Sequence, residues 1–487
     1  MGGFTDYERY DAVGLAELVR QKEVSPSELL DAAIDRVEKR DGQINAVVMQ
    51  LYDYARKSIM EGLPDGPLRG VPFLLKDISG WLAGERVTRG SRFFADAPPA
   101  AVDNEHVGRL KSAGLVIFGR TNACELGLSL TCEPTLYGAT KNPWDVTRTP
   151  GGSSGGAAAA VAARILPMAH ATDGFGSIRA PAACCGVVGL KPTRARNTLA
   201  PYAGEGFGGI VAEHAVTLTV RDSAALLDAT CGPGPGDPYV APKPERPFLE
   251  DVGRVSRKLR IAFTSVAPDG VAVDAHNVAA LADIARLCAD LGHDVEDVSP
   301  EIDSVIDAAA IVPTFLTLAS ANTVVSLSSH PTKGRSPQLG EVETVTYAMG
   351  ELGQTVSAAD YVRATQTAHR LGRQMAAFHE TYDVLLTPAL ATLPPKLGWI
   401  DMMMEDFDEY WRRVFHFSPF TVWFNLTGQP AMVLPLVHCN PTAGRPESIP
   451  VSVQIVGRYG DEATLFQLAG QLEAARPWFD RTPPILG

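Results

Sequence analysis

The chain is short of positive charge and has no paired cysteine spacing. Its 487 residues carry 43 Lys and Arg against 56 Asp and Glu, a net charge of −13. That balance does not invite nucleic acid or an anionic membrane, so neither is expected as a partner. Seven cysteines are an odd number, they form no C-x-x-C pair, and Cys184 and Cys185 are adjacent. They read as reduced thiols of a cytoplasmic protein. The ten histidines show no H-E-x-x-H or other paired ligand spacing. They are expected at the surface or hydrogen-bonded, with no metal and no cofactor. The opening MGGFTDYERYDAVGLAELVR has acids early and no apolar core of signal type. The most apolar long run, residues 155–171, is broken by Arg164, Pro167 and His170, and reads as a buried helix rather than a membrane span. No repeat of fixed period and no low-complexity tract is present.

What remains is an ordinary globular composition, 45% apolar and 20% charged. Length alone suits two to four domains, but the pattern of elements points to one fold. Leu15, Leu18 and Val19 share a helix face. In SPSELLDAAIDRVEKRDG, Ser25 caps, Pro26 opens the first turn, Glu28 completes a capping box and Gly42 marks the stop. RGVPFLLKD (69–77), GLVIFGRTN (114–122), ILPMAHATD, GVVGLKPT and AVTLTVRD read as strands traded with helices such as VRDSAALLDAT. After a Pro/Gly-rich loop at 232–258 the alternation resumes with LRIAFT, a helix over 274–291, DVLLTP, AMVLPL, VSVQIVG and a last helix, DEATLFQLAGQLEAA. The expectation is a single α/β/α layered domain over 1–487, with a central mixed, mostly parallel twisted sheet. N-terminal helices occupy about 1–60, a motif core about 65–230, and the half from 259 completes the fold.

The stretch RTPGGSSGGAAAAVAAR (148–164) places two hydroxyls on bare backbone just before a helix-forming alanine run. A flexible linker does not enter a helix so directly. A phosphate loop needs a lysine after the last glycine, where Ala157 and Ala158 stand. Gly151-x-Ser153-x-Gly155 formally matches a nucleophile elbow, yet KNPWDVTRTP before it is no strand. A second bare serine, Ser177 in DGFGSIRAPAACCGVVGLKPT, lies 24 residues after Ser153. Lys76 ends an apolar strand. Two serines and an uncharged lysine are the parts of Ser–Lys catalysis.

GVPFLLKD, GGSSGG and D-x-x-GSIRAPAACCGVVGLKPT, in that order, resemble the amidase signature family. GRTN (119–122), ATKNPWD (139–145), NLTGQPAMVLPL (425–436) and VQIVG (453–457) extend the likeness over roughly residues 10 to 480. EPTLYGATKNPWD and AHATD are most similar to the branch that includes cyclic-dimer nylon-oligomer hydrolases. The resemblance implies a metal-free amide hydrolase acting on a small amide, aryl amide, carbamate or ester, as a monomer or homodimer. The family's lysine falls on Lys76, its cis-configured serine on Ser153 and its nucleophile on Ser177. Lys76 must then shed its proton from a free pKa near ~10.4, helped by desolvation among Pro72, Phe73, Leu74 and Leu75. Backbone N–H groups of Gly174, Phe175, Gly176 and Ser177 are the expected oxyanion donors. Ser154, Asp173, Arg179 and Asn122 are expected to brace the loops, and Gly127, Ser129, Cys132 and Phe175 to line the pocket.

The family commonly reads T-D-T-G-G-S where this chain has Thr172-Asp173-Gly174-Phe175-Gly176-Ser177. Phe175 replaces a glycine, and if that position needs positive φ it is strained; its ring is also placed to narrow the pocket or stack on substrate. Met402, Met403 and Met404, with Phe407, Tyr410, Trp411, Phe415 and Phe417, read as core first and pocket second. Cys132 and Cys184 read as buried hydrophobes. The competing reading is an amidotransferase subunit that feeds ammonia to a tRNA-bound substrate. Its segment like SSLDQ is missing from APYAGEGFGGIVAEHAV (200–216). A third reading is a binding protein on the same scaffold, disfavoured by the intact Lys76, Ser153 and Ser177.

Overall fold

A computed structural model describes residues 4–255, 257–299, 305–439 and 448–486. Its centre is one sheet of eleven strands in the order β1-β3-β2-β4-β6-β5-β10-β11-β9-β7-β8. In chain order these are β1 (Val47–Gln50), β2 (Pro72–Lys76), β3 (Val116–Thr121), β4 (Met168–Asp173), β5 (Val188–Lys191) and β6 (Ala212–Thr217). The second half adds β7 (Arg260–Phe263), β8 (Asp294–Asp297), β9 (Val384–Pro388), β10 (Ala431–Cys439) and β11 (Ile449–Gly457). β10 pairs with β5, so both halves share one sheet.

The layered α/β arrangement follows the alternation in the sequence, but the parallel share is smaller than expected. β2 runs parallel to β3 and β4, and β7 parallel to β8 and β9. The other pairings, β1–β3, β4–β6, β6–β5, β5–β10, β10–β11 and β11–β9, are antiparallel. Crossover helices make the parallel wings; the antiparallel centre is built mainly from strands distant in the chain, β4 with β6, β5 with β10 and β11 with β9, with β10–β11 and β5–β6 joining chain neighbours.

Both faces of the sheet are covered, which is why its strands read as continuous apolar runs. Along β9, Val384 and Leu386 join one buried cluster and Leu385 the other; Met432 and Leu434 of β10 part in the same way from Val433. One face carries helices α7 (Val220–Thr230), α8 (Ala275–Asp290) and α14 (Glu462–Ala475). The opposite face carries α1 (Ala12–Arg20), α2 (Pro26–Ile44), α4 (Glu105–Ser112), α5 (Gly155–Ala162) and α6 (Arg179–Cys185). It also carries a helical layer of α9 (Ile311–Ser328), α10 (Thr344–Thr355), α11 (Ala358–Thr381), α12 (Phe407–Phe417) and α13 (Thr421–Thr427). A short α3 (Tyr52–Glu61) completes the set.

Ser25 and Glu28 form the expected capping box. The stop differs: α2 runs through Gly42 and ends at Asn45, whose φ of 54° supplies the left-handed cap. The apolar run 155–171 splits into α5 and then β4 at the turn through Pro167. The helix of greatest apolar length is elsewhere. Ala308–Ser328 has mean hydropathy 1.6 and is long enough to cross a membrane. Here it packs against α10 and α11.

Gly156, in the first turn of α5, lets that helix lie directly on the main chain of Asn122 and Ala46. A Cβ there would sit 2.5 Å from Asn122 N and 2.7 Å from Ala46 O. Gly156→Ala is therefore expected to destabilise the fold by about 1–3 kcal/mol through overpacking. Gly108→Ala, in α4 with no atom within 4 Å of the added carbon, is expected to stabilise it by up to about 1 kcal/mol. Urea denaturation of both variants checks the contrast.

Candidate functional site

Lys76 is the last residue of β2 and is fully buried. The apolar strand carries it into the interior, so the surface ion pair that a lysine would ordinarily make is not formed. Its Nζ lies 2.7 Å from Ser153 Oγ and 2.9 Å from Thr172 Oγ1. Burial lowers its pKa to about 8, against the opposing pull of Cys124, Cys132, Asp173 and Glu213. An amine with that pKa is deprotonated in roughly one molecule in ten at pH 7, against fewer than about one in a thousand for a free lysine.

Ser153 follows a cis peptide bond from Gly152. Ser177 stands in the turn between β4 and α6, 3% exposed, and lines the same cavity as Ser153. The Ser177 hydroxyl has no hydrogen-bond partner among the described residues, which leaves it to the cavity. Ser154 does not reach the lysine. Its hydroxyl bonds Thr172 O and N at 3.3 and 3.4 Å, and ties the GGSSGG turn to β4.

The loop after β4 is shaped by one buried ion pair. Arg179 donates to Asp173 at 2.9 Å, and both side chains are fully enclosed. The remaining guanidinium donors go to Asn425 Oδ1 at 2.6 Å and Gln454 Oε1 at 2.8 Å. Burial pushes the Asp173 carboxyl up, but Arg179 and Asn425 override it and hold it at about 2. Asp173 also accepts the main-chain N–H groups of Gly176 and Ile178.

This corrects the expected donor set. The Gly176 N–H is committed to Asp173 Oδ1 at 2.7 Å, so it is not free for an oxyanion. The N–H groups of Gly174, Phe175 and Ser177 have no partner among the described residues. The strain expected at Phe175 is also absent: positive φ falls on Gly176, at 135°. A side chain at Gly176 would run into Thr421. The Phe175 ring turns into the cavity wall, 4.6 Å from Phe315 and 5.0 Å from Phe415.

The cavity has a volume of about 240 Å³ and is walled mainly by apolar side chains. Gly127, Ser129 and Phe175 line it as expected, and so does Trp411, which the sequence placed in the core first. Cys132 does not: it lies behind the wall under Gly155, with its thiol on Thr140. Asn122 also stands outside, bonding Gly138 O and Thr140 Oγ1. Of the apolar stretch 402–417, Trp411 and Val414 face the cavity, while Tyr410 and Phe417 are core and Met403 is exposed.

Several residues escaped the sequence reading. Thr172 is the second hydroxyl on Lys76. Glu213, on β6, reaches the cavity with a buried carboxyl that burial pushes up to about 7. The histidines expected at the surface or hydrogen-bonded include six that are buried among the described residues, three of them, His106, His170 and His214, fully so. His106 has neither ring nitrogen bonded, and burial holds it neutral, at about 3. His106, His170 and Glu213 bring three ligand-type atoms within 4.8 Å of one another. Yet His170 Nδ1 accepts the N–H of Lys76 at 3.3 Å. That leaves the ring proton on Nε2, the atom 4.0 Å from Glu213. In this tautomer Nε2 carries the proton and faces the carboxylate from beyond hydrogen-bond range, so it offers no lone pair to a metal. The signal for this cluster was the adjacent pair Glu213-His214 at a strand with no charged neighbour.

A mixed eleven-stranded sheet with two glycine-flanked serines at one cavity and a buried lysine bonded to the first of them defines the class. The family model for amidases matches residues 28–466, and the chain belongs to the amidase signature family, hydrolases that act on amides. It is 35% identical over 488 residues to 6-aminohexanoate-cyclic-dimer hydrolase from Pseudomonas sp. strain NK87, covering 98% of this chain and 97% of that one. A solved structure of 6-aminohexanoate cyclic dimer hydrolase superposes with a TM-score of 0.90 at 33% identity, over 99% of this chain and 100% of the other. A bacterial aryl acylamidase superposes with a TM-score of 0.84 at 27% identity, over 96% of each chain.

Replacing Asp173 by Asn leaves the Arg179 charge buried and uncompensated. The expected loss is about 3–5 kcal/mol of folding stability, read as a lower urea midpoint. A loss well under 1 kcal/mol would mean that the pair does not organise the loop.

Proposed function

We propose that this chain hydrolyses amides through an acyl-enzyme on Ser177. The observation that carries this reading is the buried Lys76 amine within hydrogen-bond reach of Ser153, beside the unpartnered Ser177 hydroxyl. Neutral Lys76 draws a proton from Ser153, which takes one from Ser177. Ser177 Oγ then attacks the amide carbon. Charge gathers on the carbonyl oxygen, and the N–H groups of Gly174, Phe175 and Ser177 are the donors for it. The relay returns its proton to the departing nitrogen as the C–N bond breaks. Water, activated by the same relay, then attacks the ester carbon and releases the acid with Ser177 restored.

The apolar wall formed by Phe175, Phe315, Trp411, Leu126 and Val414 suits a substrate with a hydrocarbon or aryl arm. A cyclic or linear amide of aminohexanoate type, an aryl amide and a carbamate all present such an arm. The seven cysteines, none in a disulfide among the described residues, support a reducing, cytoplasmic setting. The same reading takes a small molecule as partner and a monomer or homodimer as the working unit.

Ser177→Ala is expected to abolish turnover of a 4-nitroanilide while the fold is kept; an undiminished rate in the folded variant would remove Ser177 from the role. In the wild type, kcat/KM is expected to rise with pH through about 8, because the reactive form of Lys76 is the deprotonated one. Lys76→Ala is expected to lose most of the activity, and that limb of the profile with it. A wild-type profile flat from neutrality upward would contradict the lysine as base.

A further inference from the structure

The cavity wall holds two charged residues, Glu213 and Arg89, and the mechanism uses neither. Arg89 is the more unusual. Its half-buried guanidinium is flanked by Phe94, 4.5 Å from the ring centre, and by Trp81, 5.4 Å away. Its one hydrogen bond among the described residues goes to Ser329 Oγ at 3.3 Å. No carboxylate lies within ion-pair distance of it among those residues. Burial lowers its pKa with no acid to offset the effect. A guanidinium has five donors in a rigid fork, and enclosing its charge without a counter-ion is costly. The backbone also fixes the side chain's origin: Arg89 has φ 57°, and its carbonyl accepts the N–H of Leu126, itself a cavity residue.

The position of Arg89 relative to the reacting serine can be read along α9. Phe315, near the start of that helix, packs on Phe175 of the serine loop. Ser326, which lines the cavity, and Ser329, which bonds Arg89, stand at its end. The eleven residues from Phe315 to Ser326 span about 16 Å at ~1.5 Å per residue. The Arg89 guanidinium, bonded to Ser329, therefore lies toward the end of α9 remote from Phe175.

We propose that Arg89 recognises a carboxylate at the far end of a substrate arm, so that the preferred amides carry an apolar chain terminated by an acid. This rests on the reading of the cavity as the amide-hydrolysing site. A planar fork meeting a carboxylate in a partly dry pocket gives charge-assisted, two-point recognition. The separation favours a long arm over a short one.

The test compares matched substrates. In one series the acyl arm varies: 4-nitroanilides of hexanoic and decanoic acids against the mono-4-nitroanilides of adipic and sebacic acids. In a second series the amine arm ends in methyl or in carboxylate. In one of the two series, wild-type kcat/KM is expected to favour the carboxylate form by roughly tenfold to a hundredfold, mainly through KM. The preference should grow with arm length. Arg89→Met should erase that ratio, and Arg89→Lys should retain part of it. Wild-type enzyme that treats charged and neutral arms alike in both series would overturn the proposal without recourse to a variant. So would an Arg89→Met protein in which both forms fall by the same factor, the result expected of a residue that merely closes the end of α9. Failure of the wild type on every amide would instead strike the reading of the site itself.

Discussion

A lysine at the end of a buried strand is the constraint to which the rest of the structure answers. The main chain of β2 delivers Lys76 into a space from which water is excluded, and desolvation weakens its hold on a proton. Such a group needs hydroxyl partners, and the chain supplies them from two directions. Ser153 comes from the turn before α5 and Thr172 from the neighbouring strand β4. The glycines around Ser153 let that turn approach closely. Gly152 lies directly against the main chain of Thr131, and Gly156 against Asn122. The bareness of GGSSGG is thus a packing requirement of the turn as well as a feature of its chemistry.

The second organising interaction is the enclosed pair of Asp173 and Arg179. Its members sit on either side of Ser177 in sequence, and the pair is held in turn by Asn425 and Gln454 from the C-terminal half. Segments separated by more than two hundred residues therefore fix one short loop. The same pair decides which amides are free: by taking the Gly176 N–H, Asp173 leaves those of Gly174, Phe175 and Ser177. The cavity is apolar because the aromatic side chains of α9 and α12 close over this loop, with Phe175 at the meeting point.

Much of this was legible in the sequence where local rules decide the outcome. The capping box at Ser25, the strand ending on Lys76, the helix after GGSSGG and the order of the three motifs needed only neighbouring residues. The limits of legibility are physical. Gly42 signalled a helix end, but Asn45, three residues on, adopts the left-handed cap. Cys132 was expected both as a pocket residue and as a buried hydrophobe, and its side chain lies behind the wall. Strand direction depends on connections across the fold, so the antiparallel centre of the sheet could not be read from alternation. The helical layer from 311 to 381 was missed because its helices pack their apolar residues against one another. The buried histidines and Glu213 were missed because burial is a tertiary property.

The account stands or falls on the charge state of one amine. The direct measurement is an NMR titration of the lysine side chains in uniformly labelled protein, with the Lys76 resonance assigned by its disappearance in Lys76→Ala. Lys76 is expected to titrate near pH 8, well below the surface lysines. A midpoint with those lysines, near ~10.4, would show an amine that stays charged at neutral pH and would contradict the account.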